Sequence, residues 1–111
     1  MAAKKGIPKE PQTRTAQFVG HRDRLRKRFA ESGENGLPDY ELLELVLFNA
    51  IPRRDVKLIA KLLIAKFGDL SGVIGAADNQ LLEQEHVTPR VIHEIRLIEK
   101  VALKLGQSKS P

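Results

Sequence analysis

The chain contains no cysteine and no tryptophan. Without thiols there are no disulfides and no thiolate metal sites, so folding does not need an oxidising compartment. Aromatic residues are scarce, with one tyrosine (Tyr40) and four phenylalanines, and the core has to come from Leu, Ile, Val and Ala. No apolar run approaches the ~20 residues of a membrane span. Lys4 and Lys5 are not followed by an apolar signal core, so no secretion signal is expected and the chain is read as cytoplasmic. The alternating pattern of half-buried strands is also missing. So are a glycine-rich phosphate loop and a nucleophile–base–acid set. The three histidines (His21, His86, His93) have no ligand spacing. No catalytic residue is assigned, and no cofactor, metal or small-molecule substrate is expected.

What is present is a 111-residue chain, 41% hydrophobic, with a net charge of +5. That length suits one domain of modest stability. The charge is unevenly placed. Residues 1–28 hold nine Lys/Arg against Glu10 and Asp23, a balance of +7, whereas the rest holds ten against twelve acids, a balance of −2. A basic leading segment suits a polyanionic partner or serves as a solubilising tail.

Along the chain, residues 1–17 carry Gly6, Pro8 and Pro11 with few apolar groups, which predicts a disordered basic arm. Residues 18–106 form the helical domain. A first helix is expected from Gly20 to Ser32, with Phe18, Leu25 and Phe29 as contacts, ended by Gly33, Asn35 and Gly36. A second starts at Pro38, with Asp39, Glu41 and Glu44 toward the positive end of its dipole. Leu42, Leu43, Leu45, Val46, Leu47 and Phe48 wrap most of its circumference, making it the central helix. A third runs from Arg53 to Lys66 and presents Val56, Ile59, Ala60, Leu63 and Phe67, with Gly68 closing it. Asp69 is expected to cap a short helix through Ile74, and Asp78 another through Gln84. The last helix opens with Thr88 and Pro89 and carries Val91, Ile92, Ile95, Ile98, Val101, Ala102 and Leu105 at helical spacing, with Gly106 ending it. Residues 107–111 read as a linker or trailing end. The fold class is all-α, a compact bundle of about five to six helices.

Two inter-helix turns share a register. Ala50-Ile51-Pro52 followed by Val56, and His86-Val87-Thr88 followed by Ile92, both fit the helix-hairpin-helix frame, 36 residues apart. That motif normally uses Gly-apolar-Gly, whose glycines let the backbone approach a phosphate at the second helix's N-terminus. Neither turn has the glycines, and Pro52 lacks an N–H. Two readings therefore stand for each hairpin, an architectural turn and a phosphate contact. Arg53, Arg54, Lys57 and Lys61 follow the first and predict a basic helical stripe that meets phosphates by Coulomb attraction. In the first helix, Arg24, Arg26 and Lys27 read as an open basic surface. Arg22 and Arg28 read as partners of Glu31, Asp39, Glu41 or Glu44, and His21 as a cap or a packed residue.

Three segments carry a family likeness: Gly20-His21-Arg22-x-Arg24-Leu25-Arg26-x-Arg28-Phe29, Leu37-Pro38-Asp39-Tyr40-Glu41-Leu42-Leu43-Glu44-Leu45, and Ala50-Ile51-Pro52-Arg53-Arg54-Asp55-Val56. Together they resemble the N-terminal helical domain of the RadC family of bacterial DNA repair-type proteins, over residues 19–106. Relatives in that family usually continue into a JAB/MPN domain resembling a zinc metallopeptidase, whose His-x-His metal motif is absent here. They often carry Pro-Gly-apolar-Gly where this chain has Glu85-His86-Val87-Thr88. With the resemblance to a DNA repair-type family beside it, the charge pattern is read as a non-catalytic module that binds DNA without reading sequence, its expected contacts being the basic residues Arg24, Arg26, Lys27, Arg53, Arg54, Lys57 and Lys61. The alternative is a protein-interaction or regulatory scaffold for the absent metallopeptidase-like domain, which a sizeable apolar surface patch favours.

Overall fold

The computed structural model describes residues 20–32 and 36–108. The expected basic arm, the Phe18 contact, the Gly33 and Asn35 part of the first turn and residues 109–111 lie outside them. Among the described residues the chain is entirely helical: α1 (residues 20–32), α2 (Asp39–Phe48), α3 (Lys57–Phe67), α4 (Leu70–Gly75), α5 (Asp78–Leu82) and α6 (Pro89–Ser108). No helix among them is long and apolar enough to cross a membrane.

The core forms around α2. Leu43 and Leu47 are buried with Leu25 of α1, Val56, Ile59, Ala60 and Leu63 at and along α3, Val73 of α4, Leu81 of α5, and Val91 and Ile95 of α6. The α3 set repeats at i, i+3, i+4 and i+7, so one stripe faces inward while Leu58 and Leu62 stay exposed. Pro38 precedes the first turn of α2 and does not sit in it. Its carbonyl accepts from Glu41 and Leu42 at 3.0 and 3.1 Å. Gly68 ends α3 at φ 101°, where a side chain would be strained. Asp69 then caps α4 as expected, accepting from Gly72 N at 2.8 Å.

Other boundaries also differ from the sequence expectation. The third helix begins at Lys57 and not at Arg53, because Arg53 sits at φ 67° and Asp55 accepts from Lys57 N at 2.9 Å. Asp78 lies inside α5 and does not cap it. Its carboxylate is taken by Arg96, and the helix stops at Leu82. Gly106 does not end α6, which runs on to Ser108. A glycine inside a helix weakens it without having to end it.

The inward face of α6 also stops early. Val91, Ile92 and Ile95 are buried, but Ile98, Val101 and Leu105 are 37%, 50% and 56% exposed. The apolar pattern therefore continues past the body it helps seal. Arg96 anchors the helix where the core ends. It donates to Asp78 Oδ1 at 2.8 Å, Glu99 Oε1 at 2.7 Å, Ile74 O at 3.0 Å and Ala76 O. Burial lowers its pKa while the pairs with Glu99 and Asp78 raise it, and the pairs prevail.

Candidate nucleic-acid interface

The turn between α2 and α3 is built from both ends. Ala50 N and Ile51 N donate back to Leu47 O at 3.0 and 2.8 Å, which closes α2. Pro52 and the left-handed Arg53 reverse the chain, and Asp55, one residue before the N-cap Val56, accepts from Lys57 N in a short turn that leads into α3. The Asp55 carboxylate thus occupies the amide end of α3, where the helix dipole would favour an anion. From α1, Arg22 reaches across and donates to Phe48 O at 3.1 Å, Ile51 O at 2.6 Å and Arg54 O at 2.8 Å. Its guanidinium also lies 4.5 Å from the Phe48 ring centroid. Burial lowers the Arg22 pKa, with the adjacent Arg26 charge adding to the effect.

The seven candidate cations are all exposed. Arg53 and Arg54 are loop residues at the turn, so the predicted four-residue helical stripe reduces on α3 to Lys57 and Lys61, one turn apart. Lys61 Nζ sits 4.8 Å from the Tyr40 ring centroid. Arg26, one turn after Arg22, shares the Phe48 platform at 5.3 Å and lies 3.4 Å from Asp23. Arg24 and Lys27 point roughly 140–200° away from Arg22 around α1, on its outer side. Apart from Arg26, none of the seven forms an ion pair among the described residues. Arg22 links the Phe48 ring that Arg26 also covers to the backbone of Arg54, whereas Arg24 and Lys27 belong to a different face of α1.

The expected structural role of Arg22 and Arg28 holds, with a difference. Arg28 makes a two-point pair with Glu41, at 3.0 and 2.7 Å. That hydrogen-bonded carboxylate raises the Arg28 pKa. Arg22 turns instead to backbone carbonyls, which residue types alone did not signal. His21 packs, as expected, with Nε2 2.8 Å from Glu44 Oε1 and its ring edge-on to Phe48.

The second turn, between α5 and α6, is shaped differently. His86, the first residue of its triplet, is left-handed at φ 70°, whereas in the first turn the left-handed residue follows the triplet. Thr88 Oγ1 accepts from Val91 N at 3.4 Å, and Arg90 pairs with Glu94 at 3.0 Å. The cation nearest this turn is thereby neutralised. No group of three or more His, Cys, Asp and Glu side chains among the described residues could hold a metal ion.

On another side of α2 lies an apolar groove of about 310 Å³, lined by Phe29, Leu42, Leu45, Val46, Leu70, Ile74 and Ile98. Phe29 was expected as a core contact but is 43% exposed at its edge. Through Ile98 the groove meets the exposed apolar stripe of α6. Sequence reasoning did not foresee the anchoring role of Arg96 or the Phe48 platform. The contact from Asp55 was missed as well, although an Asp directly before the apolar-periodic run that opens at Val56 is a helix-start signal.

The chain is a homologue of the UPF0758 protein SPO0054 of Ruegeria pomeroyi, 46% identical over 89 residues. The match takes in 80% of this chain and 40% of that protein. The chain thus spans well under half the length of the curated relative it matches. No family model matches it, and no solved structure does.

Proposed function

We propose that this domain is a non-catalytic DNA-binding or targeting module of a RadC-like, DNA repair-type protein. On this reading it is the N-terminal part of a longer architecture, and it contacts phosphates electrostatically without reading bases. The observation that carries this is the exposed, unpaired cation set at the first turn, Arg53, Arg54, Lys57 and Lys61, with Arg26 beside it. The similarity to a UPF0758 protein and the three RadC-like segments support the same reading. We read α2–α3 and α5–α6 as two tandem, degenerate helix-hairpin-helix units. In the first, Asp55 occupies the amide end of the second helix, so phosphate contact falls to side-chain charge rather than to the backbone.

The test is binding to labelled single- and double-stranded DNA across a salt series. Affinity is expected to fall steeply with salt, and replacing Arg53, Arg54, Lys57 and Lys61 by Ala is expected to weaken binding without unfolding the domain. Binding that is absent at low salt, or indifferent to salt, removes the electrostatic mechanism.

One observation favours a second reading. The all-apolar groove and the α6 stripe suit an interaction surface for the part of the longer relative that this chain does not match. Titrating this domain with that remaining part of the Ruegeria protein tests it. Saturable binding that a Val46→Glu variant abolishes supports the scaffold role, and no binding removes it.

A further inference from the structure

Arg22 stands on α1, yet three of its five N–H donors end on the backbone of the first turn. The carbonyls it holds bracket that turn: Phe48 at the end of α2, Ile51 within the triplet, and Arg54 just before Asp55. Among the described residues no other side chain bonds the backbone of residues 49–54. The same turn carries Arg53 at φ 67°. A non-glycine residue held there relaxes unless its surroundings fix it. Only Ile51 of this turn is buried in the core, and the strained stretch after it, exposed from Pro52 to Asp55 and with few bonds of its own, would otherwise sample several shapes.

We propose that Arg22 is the positioning residue of the phosphate-contacting surface. It fixes the turn from which the exposed Arg53 and Arg54 present their charges, and it does not itself touch DNA. The proposal rests on the DNA-binding reading. Arg22 spends its donors on carbonyls and lies half-buried over Phe48, so it is ill placed for phosphate, whereas Arg53 and Arg54 face solvent. A turn that holds the binding geometry only about a tenth of the time weakens apparent affinity about tenfold.

Arg22→Lys tests this because it keeps the charge and removes the planar fork that reaches three carbonyls. Three readouts on the purified chain are compared with wild type: amide order of residues 53–55 by ¹⁵N relaxation, DNA affinity across a salt series, and thermal midpoint. The expected result is a mobile turn and about tenfold weaker binding with the salt slope unchanged. Arg54→Ala, by contrast, is expected to lower that slope by about one. Pro52→Gly loosens the same turn with Arg22 intact and is expected to reproduce the loss. The proposal is overturned if Arg22→Lys leaves turn order and affinity as in wild type, or if it lowers the salt slope by about one with the turn still ordered. If wild type binds no DNA, the underlying reading falls, and the relaxation comparison alone decides whether Arg22 sets the turn.

Discussion

His21 on α1 and Glu44 on α2 meet at 2.8 Å, with Glu44 fully buried and His21 about three-tenths exposed at its side chain. The second Glu44 oxygen, Oε2, has no hydrogen-bond partner in the structure. A carboxylate in that position depends on the one partner it has. His21→Ala is expected to destabilise the domain by about 1–3 kcal/mol, because it strands Glu44 in the core. The double variant His21→Leu/Glu44→Leu is expected to lose less than the sum of the two single changes. Urea unfolding of the four proteins in the cycle measures the difference, and additive losses remove the coupling.

The helices were legible in the sequence because their apolar spacing and punctuation agree. Leu43 and Leu47 with Ile59 and Leu63 repeat at helical period, and Gly68-Asp69 both ends α3 and caps α4. What periodicity could not show is where a face stops being covered. Val91 and Ile95 look the same in the sequence as Val101 and Leu105, yet only the first pair has α2 and α4 behind it. The candidate cations were legible as charges but not as an arrangement. Arg53 and Arg54 continue the α3 stripe in the sequence, but the left-handed Arg53 and the turn held by Asp55 place them on a loop. Side chains that bond carbonyls, as Arg22 and Arg96 do, leave no residue-type signature, because every residue supplies a carbonyl.

Arg96 is expected to matter more for stability than any surface pair in the chain. It is only 22% exposed at its side chain and joins α6 to Asp78, Ile74 O and Ala76 O. Arg96→Ala leaves two carbonyls without donors, and a loss of about 1–3 kcal/mol is expected. Amide hydrogen exchange is the sharper readout. Protection is expected to fall first in α5 and the middle of α6, while α2 and α3 keep theirs. Uniform loss across all helices contradicts this anchoring role.

His86 is held at φ 70° with its side chain exposed. A Cβ in the left-handed region costs about 1–2 kcal/mol, part of which glycine gives back through its greater freedom in the unfolded chain. His86→Gly is therefore expected to stabilise the domain by about 0.5–1 kcal/mol. His86→Val, β-branched at the same angle, is expected to destabilise it. A thermal midpoint that falls in His86→Gly shows that His86 makes a compensating contact.

Asp55 sets two effects against each other, and one substitution separates them. Its Oδ1 accepts from Lys57 N at 2.9 Å in the turn that leads into α3. Its negative charge also lies next to Arg53, Arg54 and Lys57, where it opposes an incoming phosphate. Asp55→Asn keeps an oxygen that can accept from Lys57 and removes the charge. At a separation of about 6 Å in water, one unit charge contributes roughly 0.7 kcal/mol, so DNA affinity at low salt is expected to rise about threefold. The gain should shrink as salt screens the site, and stability should change by only a few tenths of a kcal/mol. Asp55→Ala removes the hydrogen bond to Lys57 N and the charge together and is expected to cost about 0.5–1.5 kcal/mol of stability. If Asp55→Asn binds DNA no better than wild type at low salt, phosphates do not approach the amide end of α3, and the contact surface moves to Arg24 and Lys27 on the outer face of α1.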